Sequence, residues 1–289
     1  MPAYAISHCD VFTPHIGAGN PLAVILDAEG ISDADMQHIA HWLNLAETTF
    51  VLPASTPDAD YRVRIFTTQK EIAFAGHPSI GTAHALLDAG RVSATAGILR
   101  QECQAGILPI RVQPAATDNA YSVRVPSSRL VRYADPGDAL FKPVLPVALW
   151  TDLKPALVEG GRRWWLAQLG DEATVRGFQP DSYAIAALAR ETGSLGLCIF
   201  ARTAEGLVVR AFPLGVGIAE DPASGAANAA IAVFLQETGQ LAALGHRYRV
   251  SQGREIGRDA VLTLELDAEN AVWVGGDCRS VLKGELQWP

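Results

Sequence analysis

The sequence predicts an α+β fold in two similar halves, each a β-barrel wrapped around one central α-helix. Three observations lead there. First, two Ala-rich stretches, one per half, look like copies of a single device: Ala75-Gly76-His77-Pro78-Ser79-Ile80-Gly81-Thr82-Ala83-His84-Ala85-Leu86 and Ala219-Glu220-Asp221-Pro222-Ala223-Ser224-Gly225-Ala226-Ala227-Asn228-Ala229-Ala230. Second, much of the rest of both halves falls into short β-branched, aromatic or alternating runs that read as strands. Third, 49% of the 289 residues are hydrophobic and 19% charged, so the chain can bury a substantial core.

Laid over each other, the two stretches set Ala75, Pro78, Gly81, Ala83 and Ala85 on Ala219, Pro222, Gly225, Ala227 and Ala229. His77 then stands in register with Asp221. Each proline falls where it can open a helix, since its missing N–H has no intrahelical partner there. Each helix should end near a glycine, Gly90 in one and Gly239 in the other. Arg64-Ile65-Phe66 leads into the first copy and Arg210-Ala211-Phe212 into the second. A helix N-terminus gathers unpaired N–H groups and attracts an anion. If the halves face each other, a small carboxylate can be gripped from both sides, with His77 and Asp221 beside it. Asp221 alone reads equally well as a cap ahead of a proline. Histidine is a poor cap, so His77 points more strongly to chemistry.

Taken in order, Tyr4 to Phe12 reads as a strand, followed by a glycine turn, Gly17-Ala18-Gly19-Asn20-Pro21, and the strand Leu22 to Leu26. The turn is either a hairpin needing positive φ at its glycines or a loop in which Asn20 helps hold a ligand. Ser32-Asp33-Ala34-Asp35 opens a helix with Met36, Ile39, Ala40 and Leu43 at helical spacing. Leu45 to Leu52 becomes a β-branched and aromatic strand carrying one carboxylate, Glu47. That side chain is either solvated or aimed into a desolvated cleft, where it could take and return protons near neutral pH. Further strands are expected at 61–66, 98–103, 107–112 and 121–125. Pro114, Asp118 and Asn119 mark a crossing between halves, giving domains of 1–116 and 117–289, with the last strand free to return to the first. The second half repeats the mixture: strands at 148–150, 164–167, 195–201, 206–212, 247–252, 260–266 and 271–275, and a helix at 181–192.

The formal net charge of −8, without a Lys/Arg cluster, argues against nucleic-acid binding. No apolar run reaches the length of a membrane helix, and no signal-peptide pattern opens the chain. Cys9, Cys103, Cys198 and Cys278 are widely spaced with no C-x-x-C pair, which fits reduced thiols in the cytoplasm better than zinc ligation or a disulfide framework. His38 and His41 lie three apart on the first helix without a carboxylate or cysteine partner nearby, so no metal site is expected.

Five ordered motifs, Asp10-Val11-Phe12, Gly19-Asn20-Pro21, Ala46-Glu47-Thr48, Gly76 to Ala83 and Glu220 to Gly225, resemble the phenazine-biosynthesis PhzF-like isomerase family. That family shares its fold with diaminopimelate epimerase. The resemblance implies two barrel-and-helix domains with the active site between them, a homodimer, and no metal or organic cofactor. Its catalytic groups correspond to Glu47, His77 and Asp221. Asn20, Gly76, Ser224 and Gly225 are implied to line the substrate site, and Ser79 and Ala226, from the same two segments, are further candidates. The residue after Gly225 is often small and polar in relatives handling a hydroxylated dihydroaromatic acid; here it is Ala226.

The function expected is proton transfer between carbons of a small carboxylate-bearing substrate. A two-cysteine racemase is disfavoured because the two helix starts hold Gly76-His77 and Glu220-Asp221 rather than thiols. A serine hydrolase is disfavoured because Gly76-His77-Pro78-Ser79-Ile80-Gly81 has one residue too many before the serine for G-x-S-x-G. The remaining alternative is a noncatalytic protein that binds a small molecule in the same cleft.

Overall fold

A computed structural model describes residues 1–113 and 121–289. In chain order its elements are β1 (Ala3–Val11), β2 (Asn20–Ile25), α1 (Asp33–Leu43), β3 (Thr48–Leu52), β4 (Tyr61–Phe66), β5 (Glu71–Ile72), α2 (Gly76–Asp88), β6 (Ile98–Cys103), β7 (Gly106–Val112) and β8 (Tyr121–Arg124). There follow β9 (Arg129–Tyr133), β10 (Ala156–Gly160), β11 (Arg162–Gln168), α3 (Glu172–Gly177), α4 (Ser182–Thr192), β12 (Leu197–Thr203), β13 (Gly206–Phe212) and α5 (Gly225–Glu237). The last strands are β14 (Arg247–Gln252), β15 (Ala260–Leu266), β16 (Val272–Gly276) and β17 (Cys278–Gln287). Two units emerge, Met1–Arg124 with Gly275–Pro289, and Val125–Val274. The crossing residues Pro114, Asp118 and Asn119, and the 116/117 boundary, lie outside the described residues.

In the first unit the strands pair in the order β17, β1, β2, β3, β4, β6, β7, β8. Among these pairings of described residues only β2–β3 and β4–β6 are parallel. The second unit runs β9, β10, β11, β12, β13, β14, β15, again with just two parallel joins, β11–β12 and β13–β14. The first parallel join is bridged in sequence by α1 in one unit and by α3 and α4 in the other; the second is bridged by α2 or α5. Parallel joins need such crossovers because no tight hairpin can make them. The internal duplication is therefore one of topology as well as of sequence.

Each inner helix packs against several strands of its own unit, α2 against β1, β2, β3, β7, β8 and β17, and α5 against β9, β10, β11 and β15. Nearly every residue of α2 from Gly76 to Leu86 is buried. Gly81 has no room for a side chain: a Cβ there would lie 2.4 Å from Leu22 Cδ2 and 2.9 Å from Val11 Cγ2. The outer helices cover separate apolar clusters. Met36 and Ile39 of α1 join Ile25, Phe50 and Phe66, while Ile185 and Leu188 of α4 join Phe141, Trp165 and Phe212.

The structure corrects the register of the two copies. Both inner helices are 13 residues long, α2 opening at Gly76 and α5 at Gly225, so Gly76 rather than Gly81 matches Gly225. Pro78 is the third helical residue, and Pro222 precedes the N-cap Ser224. Proline fits either place because the first helical N–H groups have no intrahelical acceptor. Asp221 is not the cap. It bridges to Ala211, as Ile72 pairs with Ile65 in the first unit. The glycine stops at Gly90 and Gly239 hold, with φ of 65° and 69° and N–H groups donating to Leu87 and Gln236 carbonyls. The strand expected at 148–150 is instead part of a 3₁₀ turn, Val147–Leu149, and β9 is a strand that the sequence reading did not expect. The last segment returns to pair with β1.

An ion pair is duplicated too. Arg64 meets Glu71 through two bonds, Nε–Oε1 2.8 Å and Nη2–Oε2 2.7 Å, and Arg210 meets Glu220 in the same manner at 2.9 and 2.8 Å. Each guanidinium also lies over the phenylalanine two residues on, 5.2 Å from Phe66 and 5.0 Å from Phe212. The two pairs differ in burial. Arg210 and Glu220 side chains are 7% and 8% exposed, against 23% and 19% for Arg64 and Glu71. Arg210 also donates to the carbonyls of Val175, Arg176 and Phe178. Arg210→Met should therefore cost on the order of 3–5 kcal/mol by stranding Glu220 without its main partner. Arg64→Met should cost clearly less, because water reaches its pair. Denaturant midpoints of the two variants check this; equal losses would contradict it.

Candidate active site

In the first unit the tight turn before β2 is built by Asp10. Its Oδ2 accepts from the N–H of Gly17 at 2.6 Å and of Gly19 at 3.2 Å. Gly17 has the positive φ expected of a turn glycine, 91°. Gly19 is needed for a different reason: a Cβ there would sit 2.3 Å from the Val11 carbonyl oxygen. The turn delivers Asn20, buried, and Pro21, whose carbonyl reaches His77.

Glu47 stands immediately ahead of β3, whose first residues, Thr48 and Thr49, are buried. Its side chain is 18% exposed, and Oε2 lies 3.5 Å from His77 Nδ1. His77 is the second residue of α2 and is buried. Burial drives its pKa down to about 3, with the Pro21 carbonyl opposing only in part. The imidazole is thus neutral near pH 7. The Glu47 contact is then no ion pair, and 3.5 Å is longer than an ordinary N–H···O bond. A carboxyl group and a neutral imidazole side by side can exchange and steer a proton without forming a locked pair.

The N-cap of α2 is Ala75, which has no polar side chain to cap the first turn. Ser79 does not substitute: its hydroxyl donates to the Ala75 carbonyl at 2.9 Å and accepts from Gln101 Nε2 at 2.9 Å. The structure thus brings Glu47, His77 and the Asn20-Pro21 turn together, and commits the Ser79 hydroxyl to the fold.

In the second unit Ser224 caps α5, its Oγ accepting from Ala227 N–H at 3.3 Å. Gly225 and Ala226 are the first two helical residues. Asp221 is half-buried and Oδ1 accepts from Ala223 N–H at 3.2 Å. Its charge helps hold the buried Cys198 thiol well above the usual range, though burial is the larger cause.

Two residues the sequence reading missed brace these helix starts. Gln252 on β14 accepts from Asn228 Nδ2 at 2.9 Å and from Ser224 N–H at 3.3 Å, and donates to the Asp221 carbonyl at 2.9 Å. Gln101 on β6 donates to Ser79, the fourth residue of α2, as Gln252 meets Asn228, the fourth residue of α5. Both glutamines are fully buried. Their sequence signal was a lone amide on the inward face of the strand following each inner helix, in otherwise alternating runs.

The depressed His77 pKa has a consequence for stability. Between pH 6.5 and about 3 the unfolded chain binds a proton at this ring that the folded chain does not, so stability falls as pH falls through that window. Above pH 6.5 the ring contributes no slope. His77→Gln should flatten the acid-side decline by up to about 1.4 kcal/mol per pH unit. Melting curves across pH 7 to 4 measure it; an unchanged slope would contradict a buried neutral ring.

The family model PhzC-PhzF, phenazine biosynthesis-like protein, matches residues 9–284. The chain is similar to trans-2,3-dihydro-3-hydroxyanthranilate isomerase of Pseudomonas aeruginosa, 31% identical over 86% of this chain and 85% of that one. It is similar to antisense-enhancing sequence 1 of Schizosaccharomyces pombe, 28% identical over 99% of both chains. The crystal structure of the Bacillus anthracis phenazine biosynthesis protein of the PhzF family superposes with a TM-score of 0.85 at 24% identity, covering all of both chains. The fold is the α+β, diaminopimelate epimerase-like one that the motifs implied. The chain belongs to the PhzC-PhzF, phenazine biosynthesis-like family.

Proposed function

We propose that the protein is an isomerase that moves a proton between carbons of a small carboxylate-bearing substrate, with Glu47, His77 and Asp221 as its catalytic groups. The observation that carries this reading is the Glu47 carboxyl group 3.5 Å from a buried imidazole, at the uncapped start of a helix. Glu47 removes a proton from a carbon next to an electron-withdrawing group; the C–H bond breaks, its electrons enter the adjacent π system, and an O–H bond forms. The same carboxyl then gives the proton to a second carbon, and the π electrons form the new C–H bond. Nothing is consumed, so the chemistry asks for no cofactor.

His77, neutral, and Asp221 hydrogen-bond the substrate or assist the proton's return, and the uncharged ring leaves the Glu47 charge in place. The uncapped first turn of α2 offers N–H groups to the substrate carboxylate. Asn20, Gly76, Ser224, Gly225 and Ala226 complete the proposed substrate contacts, while Ser79 acts by holding the helix start. The family relation supports isomerase chemistry, since relatives 30% and 31% identical carry the name trans-2,3-dihydro-3-hydroxyanthranilate isomerase. Ala226 supports a substrate other than that hydroxylated acid, because its methyl group offers no hydrogen bond. A cytoplasmic homodimer belongs to the same proposal, on family expectation and the thiol-rather-than-disulfide pattern of the cysteines. Among the described residues no helix is long and apolar enough to cross a membrane.

Small cyclic and amino carboxylates incubated with the protein in deuterated water, then analysed by mass spectrometry, test the reaction. Carbon-bound deuterium should appear with the wild-type chain. With that substrate Glu47→Gln should lose about 10²–10⁴-fold in turnover. Full turnover by Glu47→Gln would remove Glu47 from the role; tight binding of a ligand without any exchange would favour a noncatalytic binding protein.

A further inference from the structure

Away from these residues, the first unit holds a second group of reactive side chains that come from opposite ends of the sequence. Cys9 on β1, Cys278 on β17 and His84 on α2 place one donor atom each so that all three lie within 4.8 Å of one another. The strand register explains the meeting of the sulfurs. β1 and β17 are antiparallel, with Cys9 opposite Ser280 and Val11 opposite Cys278, so the two cysteines share one face of the paired strands on a diagonal. α2 packs against both strands. Cys9 and Cys278 are 1% and 2% exposed.

The surroundings are polar. Ser7 Oγ is 3.7 Å from Cys9 Sγ. His84 contacts the Tyr121 hydroxyl at 3.1 Å through Nδ1 and Ser280 Oγ at 3.0 Å through Nε2. Ser280 in turn donates a hydrogen bond to Asp88, which Lys283 meets at 2.7 Å. A histidine oriented through a hydroxyl by a carboxylate is the kind of outer support that metal-ligating rings have.

We propose that Cys9, Cys278 and His84 form a binding site for a soft divalent cation, Zn²⁺ being the natural occupant. Two thiolates and a neutral imidazole balance a double positive charge, as burial requires. A monovalent ion would leave a net negative charge in the same place. Uptake releases one proton from each thiol to solvent, forms two metal–sulfur bonds and one metal–nitrogen bond, and involves no change of oxidation state. One of the present His84 hydrogen bonds gives way to the metal. A water, or the hydroxyl of Ser7, Tyr121 or Ser280, supplies the fourth tetrahedral position. The cation would tie the first strand, the last strand and the inner helix together. The inference is independent of the proposed reaction.

The test uses the reduced, metal-stripped full chain titrated with Cd²⁺ and Co²⁺, following thiolate-to-metal charge-transfer absorption and the cobalt d–d bands. One equivalent should bind per chain with a tetrahedral, sulfur-ligated cobalt spectrum, and Zn²⁺ should raise the melting temperature. Since losing even an outer partner of a metal ligand typically costs 10–100-fold, Cys9→Ser and Cys278→Ser should each weaken binding by at least about tenfold. His84→Gln should weaken it while keeping the thiolate band. Should a ligand variant fail to fold by circular dichroism, Cys103→Ala combined with Cys198→Ala decides, because it leaves the proposed ligands as the sole thiols. Full binding by that protein supports the site. Absence of a thiolate band in it, or equal binding by wild type and a folded Cys9→Ser, overturns the proposal.

Discussion

An inner helix packed round with sheet must still satisfy the N–H groups of its first turn, and that constraint organises both units. Along most of α2 and α5 the backbone bonds are internal and the side chains are small and apolar, so close packing is inexpensive. At the start the arrangement changes. A buried glutamine from the following strand, Gln101 or Gln252, reaches the fourth helical residue and fixes where the helix begins. In α5 Ser224 then caps the first turn, whereas the N-cap of α2 is Ala75, which cannot. The site candidates of the first unit cluster at that uncapped end.

The Arg–Glu pairs serve the same end from the other side. Arg64 and Arg210 lie on the strands that lead to the inner helices, and their carboxylate partners, Glu71 and Glu220, lie on the return segments. Each pair pins the segment between strand and helix, which in the second unit carries Asp221 directly after Glu220. The local chemistry in the first unit is then set by dehydration. Burial keeps His77 neutral, so the ring does not quench the charge of Glu47, the group proposed to meet a carbon acid.

Much of this was legible in the sequence. Small residues in long runs announced the two inner helices, and Gly90 and Gly239 marked their ends because a left-handed residue is cheapest as glycine. The family motifs pointed to Glu47 and His77, which the structure sets 3.5 Å apart. The register of the copies was not legible: Pro78 and Pro222 look equivalent, yet proline is tolerated both within the first turn and before the cap, so it cannot index a helix start. The glutamine braces and the Cys9–Cys278 approach were hidden for another reason. Both depend on strand pairings between residues far apart in the chain, and alternation along one strand says nothing about which strand lies beside it.

The proposed chemistry needs an uncharged imidazole at residue 77 beside the carboxyl group of residue 47. Nitrogen-15 NMR of the imidazole side chains, read for His77 from pH 7 down to pH 4, tests it most directly. The ring nitrogens should hold their neutral-ring shifts throughout that range, as a pKa near 3 requires. A ring that takes up a proton near the ordinary histidine value of about 6.5 would show instead that His77 is solvated and paired as an ion with Glu47, and the proposed chemistry would fail.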